Sequence, residues 1–410
     1  MLLPNWREKM VDIIVVGGGA SGMTAALSAA RAGASVTLLE RQARVGRKLL
    51  STGNGRCNLT NVHASPEHYH GEDAAFCAHA LESFSPRDTL KFFEELGLMT
   101  VEEYGGRVFP LSGQAASVLD ILRFAVESAG VKVMTGSPAL GVSERRGVFE
   151  ADCGENRLRS RRLIIACGGC AGAKLGGVTD GYSLLKPLGH SRTALRPALT
   201  QIRTEPDYPR ALKGVRAQAN VTIIAGGRKI AENYGEVLFT DTGVSGTAAF
   251  EISRAVGAEN GAEVSLDFFE GRGSELRRHL TAMREMYPDM PANGILTGTV
   301  HNRLGQMLCT YAGLGAQTRA GDATDEQLQA LYDACRGFRL KITGVSGFET
   351  AQVTAGGVRT SEFCAQTLES RLVPGLYACG EVLDVDGDCG GYNLQWAWSS
   401  GMLAGENAAC

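Results

Sequence analysis

Hydrophobic residues near the start of the chain change from a short continuous run to helical spacing and back. Residues 11–16 (VDIIVV) form an apolar run that predicts a buried strand, and the run ends at three glycines. An alanine-rich helical pattern follows over 20–32, and residues 35–40 (SVTLLE) predict a second strand. Strand, helix and strand within about 30 residues are typical of a βαβ unit.

The remaining hydrophobic pattern predicts further elements. They are strands at 131–134, 163–166, 220–224, 237–239 and 375–378, helices at 86–97, 114–129, 275–286 and 325–336, and a last helix from about Leu394. Alternating segments divided by turns make residues 191–270 β-rich, whereas helical spacing dominates 274–335. The simplest topology is an α/β domain made from residues 1–190 and 353–410, with residues 191–352 inserted into it.

The three glycines begin a dinucleotide-binding pattern, Gly17-x-Gly19-x-x-Gly22, that follows a predicted strand and opens a predicted helix. Gly17 permits a tight turn, Gly19 lets the backbone approach a pyrophosphate, and Gly22 allows close packing of helix on strand. Glu40 ends the second strand, where an acid accepts hydrogen bonds from a ribose diol. An acid there disfavours a 2′-phosphate, so the pattern predicts FAD or NAD rather than NADP.

Two further glycine-rich parts of the chain, one near the C-terminus and one at residues 46–58, could extend this site. Residues 379–381 (CGE) follow a predicted strand and 390–393 (GGYN) precede the last helix, so they could hold a ribityl hydroxyl and stabilise negative charge on a reduced flavin. They could equally form a glycine-rich turn capped by Asn393. Residues 46–58 carry three cations and several amides, which could surround phosphates or a flavin edge or form a solvated surface loop.

Cysteine and histidine patterns offer weaker signals. Cys167-x-x-Cys170 has the spacing of a redox dithiol, but glycines between the two cysteines favour a packing role beside the dinucleotide. No second pair has suitable spacing for zinc, so no metal site is predicted. We interpret His68-x-His70 as part of a surface loop.

Composition limits the class of protein. Glycine accounts for 53 of 410 residues, which favours tight turns and close approach of backbone to a ligand. A net charge of −3 gives no basic face for nucleic acid. Residues 1–10 lack the apolar core of a signal peptide, and no apolar run approaches the ~20 residues that cross a bilayer. Eleven cysteines in a long chain do not suggest a disulfide framework, so we expect a cytoplasmic protein without a membrane partner.

Several long segments resemble the YhiN-like, BaiN-type family of NAD(P)/FAD-dependent oxidoreductases, which includes the bile-acid-inducible BaiN flavoprotein and aminoacetone oxidase. The matching segments are 17–22 (GGGASG), 46–61 (GRKLLSTGNGRCNLTN), 235–246 (GEVLFTDTGVSG), 353–358 (VTAGGV) and 375–405 (GLYACGEVLDVDGDCGGYNLQWAWSSGMLAG). The resemblance implies an FAD-binding α/β domain of split Rossmann type. It also implies that the insert is β-barrel-like and carries a small helical subdomain at about 271–336.

The resemblance also implies roles for individual residues. It assigns the pyrophosphate to Gly17, Gly19, Ala20, Ser21 and Gly22, the adenosine to Glu40, Arg41 and Val133, and the flavin with its ribityl chain to Lys48, Asn54, Glu381, Asn393 and Leu394. No catalytic acid can be named, but Arg56, Cys389 and Tyr392 are candidates because their motifs should adjoin the flavin ring.

The function implied is a reductase that passes hydride from NADH or NADPH through flavin N5 to a conjugated C=C bond of a small organic acceptor. A 3-oxo bile acid intermediate is the expected acceptor, held between the FAD domain and the insert. One alternative is an amine oxidase of the aminoacetone type, which would release hydrogen peroxide. Another, from a different class, is a flavin-containing protein that binds or modifies RNA.

Overall fold

The computed structural model describes residues 10–256 and 261–410. The chain divides into two compact units, one formed by the chain up to Arg196 together with Gln352–Cys410, the other by Pro197–Ala351. The first unit is therefore made from both ends of the chain. Residues 1–9, on which the expectation about a signal peptide chiefly rests, lie outside the described residues.

The chain from Val11 to Ala198 alternates strands with helices. These elements are β1 (Val11–Val16), α1 (Ala20–Arg31), β2 (Val36–Leu39), β3 (Thr60–Asn61), β4 (Tyr69–His70), α2 (Ala78–Ser83), α3 (Pro86–Glu95), β5 (Thr100–Glu103), β6 (Arg107–Pro110), α4 (Ala115–Ser128), β7 (Lys132–Met134), β8 (Gly141–Arg145), β9 (Val148–Asp152), β10 (Arg157–Ile165), α5 (Asp180–Leu185) and β11 (Arg196–Ala198).

The middle of the chain begins with strands and continues with helices before a last long strand. Its elements are β12 (Ile202–Thr204), α6 (Asp207–Ala211), β13 (Arg216–Ala225), β14 (Arg228–Thr240), β15 (Gly243–Ser245), α7 (Thr247–Ile252), β16 (Glu263–Asp267), α8 (Gly273–Met286), α9 (Asn302–Tyr311), α10 (Asp325–Arg336) and β17 (Phe338–Val345). The chain ends with β18 (Val353–Ala355), β19 (Leu376–Ala378), β20 (Asp386–Gly387) and α11 (Tyr392–Ala409).

A seven-stranded sheet forms the centre of the first unit. Its order is β7-β2-β1-β10-β9-β8, and β19 pairs with the last residues of β10. The strands from β7 to β10 and β19 are parallel, whereas β8 and β9 form an antiparallel extension. Parallel strands need both faces covered, which explains why Ile13, Ile14 and Leu163 are fully buried.

Helices α1 and α11 pack closely because α11 carries glycine where the two helices meet. A Cβ atom on Gly401 would lie 2.6 Å from Ser21 O, and one on Gly405 would lie 2.3 Å from Ala25 O. The last helix of the chain is thereby fixed against the helix that opens the glycine motif. This packing joins the two ends of the chain around one sheet.

The second unit contains a closed barrel of six strands in the order β12-β15-β14-β13-β16-β17. Alternate residues of β13 are buried, as expected for a strand with one face on a core. Phe239 and Phe338 are buried in this core, which extends to the inner faces of α8, α9 and α10. The predicted fold, a split α/β domain with a barrel-like insert and a helical subdomain, is confirmed.

Candidate FAD site

The glycine motif forms a turn that side chains would block. Gly17 has φ +111°, and a Cβ atom there would lie 2.4 Å from Ala166 O. A Cβ atom on Gly22 would lie only 1.8 Å from Gly17 O, whereas one on Gly19 would meet no atom within 4 Å. Gly17 and Gly22 are therefore required by packing, and Gly19 keeps open the space beside the start of α1.

The start of α1 offers free hydrogen-bond donors to that space. The first main-chain bond of the helix runs from Met23 N to Gly19 O at 3.0 Å. The N–H groups of Ala20, Ser21 and Gly22 precede this bond and have no partner within the helix. Free N–H groups at the positive end of a helix dipole suit a pyrophosphate.

Glu40 lies directly after β2 and is almost completely buried. Its Oε2 accepts a hydrogen bond of 2.8 Å from Gly18 N–H, and its Oε1 accepts one of 2.7 Å from Gln42 N–H. The carboxylate is held in one orientation beside the glycine turn, and each oxygen retains a lone pair for a ribose hydroxyl.

The two other residues expected near the adenosine lie beside the end of β2, one in the neighbouring strand and one next in the chain. Val133 belongs to β7 and is the register partner of Leu38 in β2, next to the strand that ends before Glu40. Arg41 follows Glu40 but pairs with Asp180, Nη1 to Oδ2, at 2.9 Å. Its guanidinium is therefore already engaged by a carboxylate.

Lys48 and Glu381 come from two distant motifs and form an ion pair of 2.6 Å between Nζ and Oε2. The other carboxylate oxygen of Glu381 accepts a hydrogen bond of 2.8 Å from Thr354 N–H. Asn54, expected in the same region, is exposed and has left-handed backbone with φ +56°. The structure thus joins Lys48 to Glu381 but shows no contact between Asn54 and either of them.

The start of α11 is braced by the side chain of Asn393. Its Oδ1 accepts from Gly387 N–H at 2.8 Å, and its Nδ2 donates to Gly387 O at 2.7 Å and Asp388 O at 3.1 Å. Asn393 therefore fixes the preceding turn rather than capping its own helix, which begins after Gly391. Because the first main-chain bond of the helix is Gln395 N to Gly391 O, the N–H groups of Asn393 and Leu394 remain available.

Arg56 points towards neighbouring protein groups. Its Nη2 lies 2.5 Å from Glu103 Oε1, and its guanidinium carbon lies 4.2 Å from the centre of the Phe109 ring. The resulting ion pair and stacking compete with any role of Arg56 as a proton donor.

Tyr392 is the first residue of α11, and Cys389 lies in the turn before this helix. The Tyr392 ring stacks on the His68 ring with centroids 4.4 Å apart, and Tyr392 O accepts a hydrogen bond of 2.9 Å from the Tyr69 hydroxyl. Tyr392 is buried and Cys389 is partly buried. Tyr392 thus belongs to a packed aromatic group beside the start of the helix.

The segment that carries His68 and His70 pairs with another strand instead of forming the expected loop, although both side chains remain about one-third exposed. His68 Nδ1 lies 3.0 Å from Asp388 Oδ2, and His70 Nε2 lies 2.7 Å from Asp388 Oδ1. Strand β4 pairs with β20, which brings these residues to the turn before α11. Sequence reasoning missed Asp388 because nothing local indicates that two short segments so far apart form a strand pair.

Cys167 and Cys170 lie just after the end of β10, as expected from the strand predicted before them. Burial raises the pKa of Cys167 to about 12, and burial also raises the pKa of Cys170. Because the thiolate is the reactive form, both sulfurs are poorly suited to disulfide exchange near neutral pH. Within residues 10–256 and 261–410, no disulfide joins the cysteines, and no three His, Cys, Asp or Glu side chains are grouped to hold a metal ion.

Comparison with known proteins identifies the family. The model of the HI0933-like protein Rossmann domain matches residues 11–407. The chain belongs to the HI0933-like family. This match confirms the resemblance drawn from the sequence motifs, and with it the prediction of an FAD-dependent oxidoreductase with a Rossmann-type domain.

Characterised relatives match along nearly their whole length. The chain is 41% identical over 409 residues to the 3-dehydro-bile acid delta(4,6)-reductase of Clostridium scindens, covering 98% of this chain and 99% of that protein. It is 32% identical over 398 residues to the ribosomal RNA dihydrouridine synthase of Escherichia coli, covering 97% of each. The corresponding synthase of Haemophilus influenzae is 29% identical over 393 residues, covering 94% of this chain and 96% of that protein.

No helix within residues 10–256 and 261–410 is both long enough and apolar enough to span a lipid bilayer.

Proposed function

We propose that this protein is an FAD-dependent reductase that saturates a C=C bond conjugated with a carbonyl group, using NADH or NADPH as electron donor. The favoured acceptor is a 3-oxo bile acid intermediate with Δ4 or Δ6 unsaturation. The observation that carries this proposal is the 41% identity, over almost the whole of both chains, to a 3-dehydro-bile acid delta(4,6)-reductase.

The residues of this chain suit the binding of FAD, the cofactor that such a reductase needs. The open space at Gly19 and the free N–H groups of α1 suit its pyrophosphate, and buried Glu40 suits its ribose. We assign the ribityl chain to Glu381 and the flavin edge to the N–H groups of Asn393 and Leu394. When bound, FAD supplies hydride transfer between the nicotinamide and the acceptor.

The N-terminus of α11 has the polarity that this chemistry needs. Its N–H groups and dipole stabilise negative charge, which develops when electrons enter the flavin ring. The side chain of Asn393 holds the preceding turn through three hydrogen bonds, so the two donors of Asn393 and Leu394 are set in place before the cofactor binds. Donors fixed in advance cost little reorganisation during the reaction.

A second candidate, reduction of uridine in ribosomal RNA, is favoured by the 32% identity to a ribosomal RNA dihydrouridine synthase. The two candidates share their chemistry, because the C5=C6 bond of uracil is conjugated with the C4 carbonyl. They differ in the size and charge of the acceptor. The net charge of −3 favours the small acceptor, since RNA binding draws on basic surfaces.

The electron donor is tested by following flavin absorbance under anaerobic conditions while NADH and then NADPH is added. We expect one of them to bleach the flavin at stoichiometric amounts. No second G-x-G-x-x-G pattern occurs in the sequence, so we expect donor and acceptor to use the same cavity in turn. A flavin that neither nucleotide bleaches, with hydrogen peroxide released on addition of an amine, would contradict the proposal and indicate an oxidase.

A further inference from the structure

Two imidazoles and one carboxylate meet beside the start of α11, and we call His68, Asp388 and His70 the His–Asp–His cluster. Each oxygen of Asp388 takes one ring nitrogen, His68 Nδ1 at 3.0 Å and His70 Nε2 at 2.7 Å. The second ring nitrogens, His68 Nε2 and His70 Nδ1, have no hydrogen-bond partner among the described residues. The side chains of His68 and Asp388 are each 31% exposed, and that of His70 is 36% exposed. The cluster is therefore bound to the protein through its inner ring nitrogens, and its outer ring nitrogens are accessible.

The cluster is held rigidly against the turn that precedes α11. Strands β4 and β20 pair, and Asp388 N–H donates to His68 O at 3.0 Å. The His68 ring stacks on Tyr392, the first residue of the helix, with an interplanar angle of 26°. The same turn is braced by Asn393, whose N–H is assigned to the flavin edge. The cluster is therefore fixed to the segment proposed to carry the reacting ring.

The Asp388 carboxylate determines which nitrogen of each imidazole faces away from the cluster. Burial acts to raise the pKa of Asp388, but hydrogen bonds from His70 and His68 hold it below its ordinary value, so Asp388 is a carboxylate near neutral pH. A carboxylate only accepts hydrogen bonds, so each bonded ring nitrogen carries a hydrogen. A neutral imidazole then has an accepting outer nitrogen, and a protonated one has a donating outer N–H.

Several other ionisable groups surround the cluster, and one of them, Glu67, interacts electrostatically with His68. They are Glu67, Tyr69, Asp386, Cys389, Tyr392 and, in contact with Tyr69, Cys77. Burial raises the pKa of the Tyr69 hydroxyl well above its ordinary value, so Tyr69 stays neutral and serves to hold Tyr392 O. The carboxylate of Asp388 thus remains the direct partner of both rings.

We propose that the His–Asp–His cluster delivers the proton that completes reduction of the conjugated acceptor. This inference rests on the proposed function. Hydride originating from the nicotinamide adds to the β-carbon, and the π electrons move towards the carbonyl oxygen to give an enolate. The outer N–H of one protonated imidazole breaks and its proton bonds to the α-carbon, which leaves a neutral imidazole. The carbonyl group re-forms as the α-carbon takes the proton, and the ring then takes up one proton from the solution, which is the proton that the overall reduction consumes.

Half-reactions separate this role from a structural one. In Asp388→Asn, His68→Gln and His70→Gln, we expect NAD(P)H to reduce the flavin at a rate within about 2-fold of wild type. Reoxidation by a conjugated 3-oxo steroid should slow by about 100-fold in Asp388→Asn and in at least one histidine variant, which is the range of general acid catalysis. His79→Gln, outside the cluster, is the matched control and should change neither rate. FAD content and Tm show whether each variant is folded.

A second readout does not depend on turnover. Nitrogen-15 NMR should show that the ring nitrogens bonded to Asp388, His68 Nδ1 and His70 Nε2, carry hydrogen in the wild type and that Asp388→Asn alters this pattern. In deuterated water, the wild type should place deuterium on one face of the α-carbon, and the slow variant should lose that selectivity. If Asp388→Asn unfolds, the two histidine variants provide the same comparison.

The experiments give different results if the proton-delivery role of the cluster is wrong and if the proposed reductase function is wrong. Wild-type rates of reoxidation in all three variants, with unchanged stereochemistry, would overturn the role of the cluster while leaving the reductase intact. A wild-type protein that is reduced by nicotinamide but not reoxidised by any conjugated enone would overturn the proposed function, and the proton-delivery role with it.

Discussion

Lys48 Nζ lies 2.6 Å from Glu381 Oε2, although 333 positions separate the two residues along the chain. The pair is only partly exposed, at 33% for Lys48 and 19% for Glu381, so solvent screens it less than a surface ion pair. Lys48 comes from the glycine-rich segment after the βαβ unit, and Glu381 lies in the turn that follows β19. The pair therefore shows that the two glycine-rich segments identified in the sequence meet at one place.

Replacing Glu381 tests whether this place holds the ribityl chain. Glu381→Gln keeps the shape of the side chain but removes the charge, and we expect FAD affinity to fall by about 10-fold, since hydrogen bonds to charged groups contribute ~1.5–3 kcal/mol. Lys91→Met, which removes an exposed ion pair of 3.9 Å with Glu95, is the control and should leave FAD affinity unchanged. Equal affinity of wild type and Glu381→Gln, measured by flavin fluorescence, would rule out the assignment.

The two glycines at the start of α1 should respond differently to alanine. Gly19→Ala places its methyl group in open space, so the apoprotein should keep its stability within about 1 kcal/mol while FAD affinity falls at least about 10-fold. Gly22→Ala drives a methyl group into Gly17 O and should destabilise the apoprotein itself by ~1–3 kcal/mol or more. Thermal unfolding of the apoproteins and FAD titration separate the two effects. An apoprotein of Gly22→Ala as stable as wild type would show that the turn differs from the one described.

The Cys167 thiol should be inert. Burial raises its pKa to about 12, so less than about one thiol in a thousand is ionised near pH 8. We expect iodoacetamide to modify exposed Cys410 well before Cys167, as read by peptide mass spectrometry. We also expect Cys170→Ser to be reduced by NAD(P)H at the wild-type rate. Loss of flavin reduction in Cys170→Ser would instead support a redox dithiol.

His190 should make stability depend on pH. Its side chain is buried between Glu362 and Ser370, and burial lowers the pKa of His190 despite the hydrogen bond of 2.9 Å to Glu362. Because the folded-state pKa is depressed, the contribution to stability is present above the unfolded value of about 6.5 and is lost as pH falls through the lower folded value. The free energy of unfolding should therefore decrease between about pH 7.5 and pH 5. His190→Gln should flatten this dependence and His79→Gln should not; an unchanged profile in His190→Gln would refute the attribution.

Local signals explain why much of the fold could be predicted. Helix α10 was predicted at its observed bounds, and its start carries a capping box in which Thr324 and Gln327 satisfy each other's backbone groups. The strand at 11–16 was likewise predicted at its observed bounds, since a continuous apolar run followed by glycines is unambiguous. Most predicted boundaries differ by one or two residues, because helix ends fray and strands extend beyond their most hydrophobic part.

Long-range pairing explains what the sequence could not show. The predicted strand at 163–166 is the end of a longer β10, whose polar first half pairs with β9. Strand β17 follows three helices, yet it closes the barrel between β12 and β16, an arrangement no local pattern specifies. The pairing of β4 with β20 is equally non-local, and it alone brings the two histidines to Asp388.

The most direct test of the central claim is anaerobic turnover with nicotinamide deuterated at its transferable position and a 3-oxo steroid conjugated at Δ4 and Δ6. We expect oxidation of the nicotinamide in step with loss of the conjugated double bond, with one deuterium at the β-carbon and one solvent-derived hydrogen at the α-carbon. A reduced flavin that this acceptor leaves unchanged, but that a ribosomal RNA transcript reoxidises with formation of dihydrouridine, would contradict the steroid assignment. Reoxidation by neither acceptor would contradict the reductase itself.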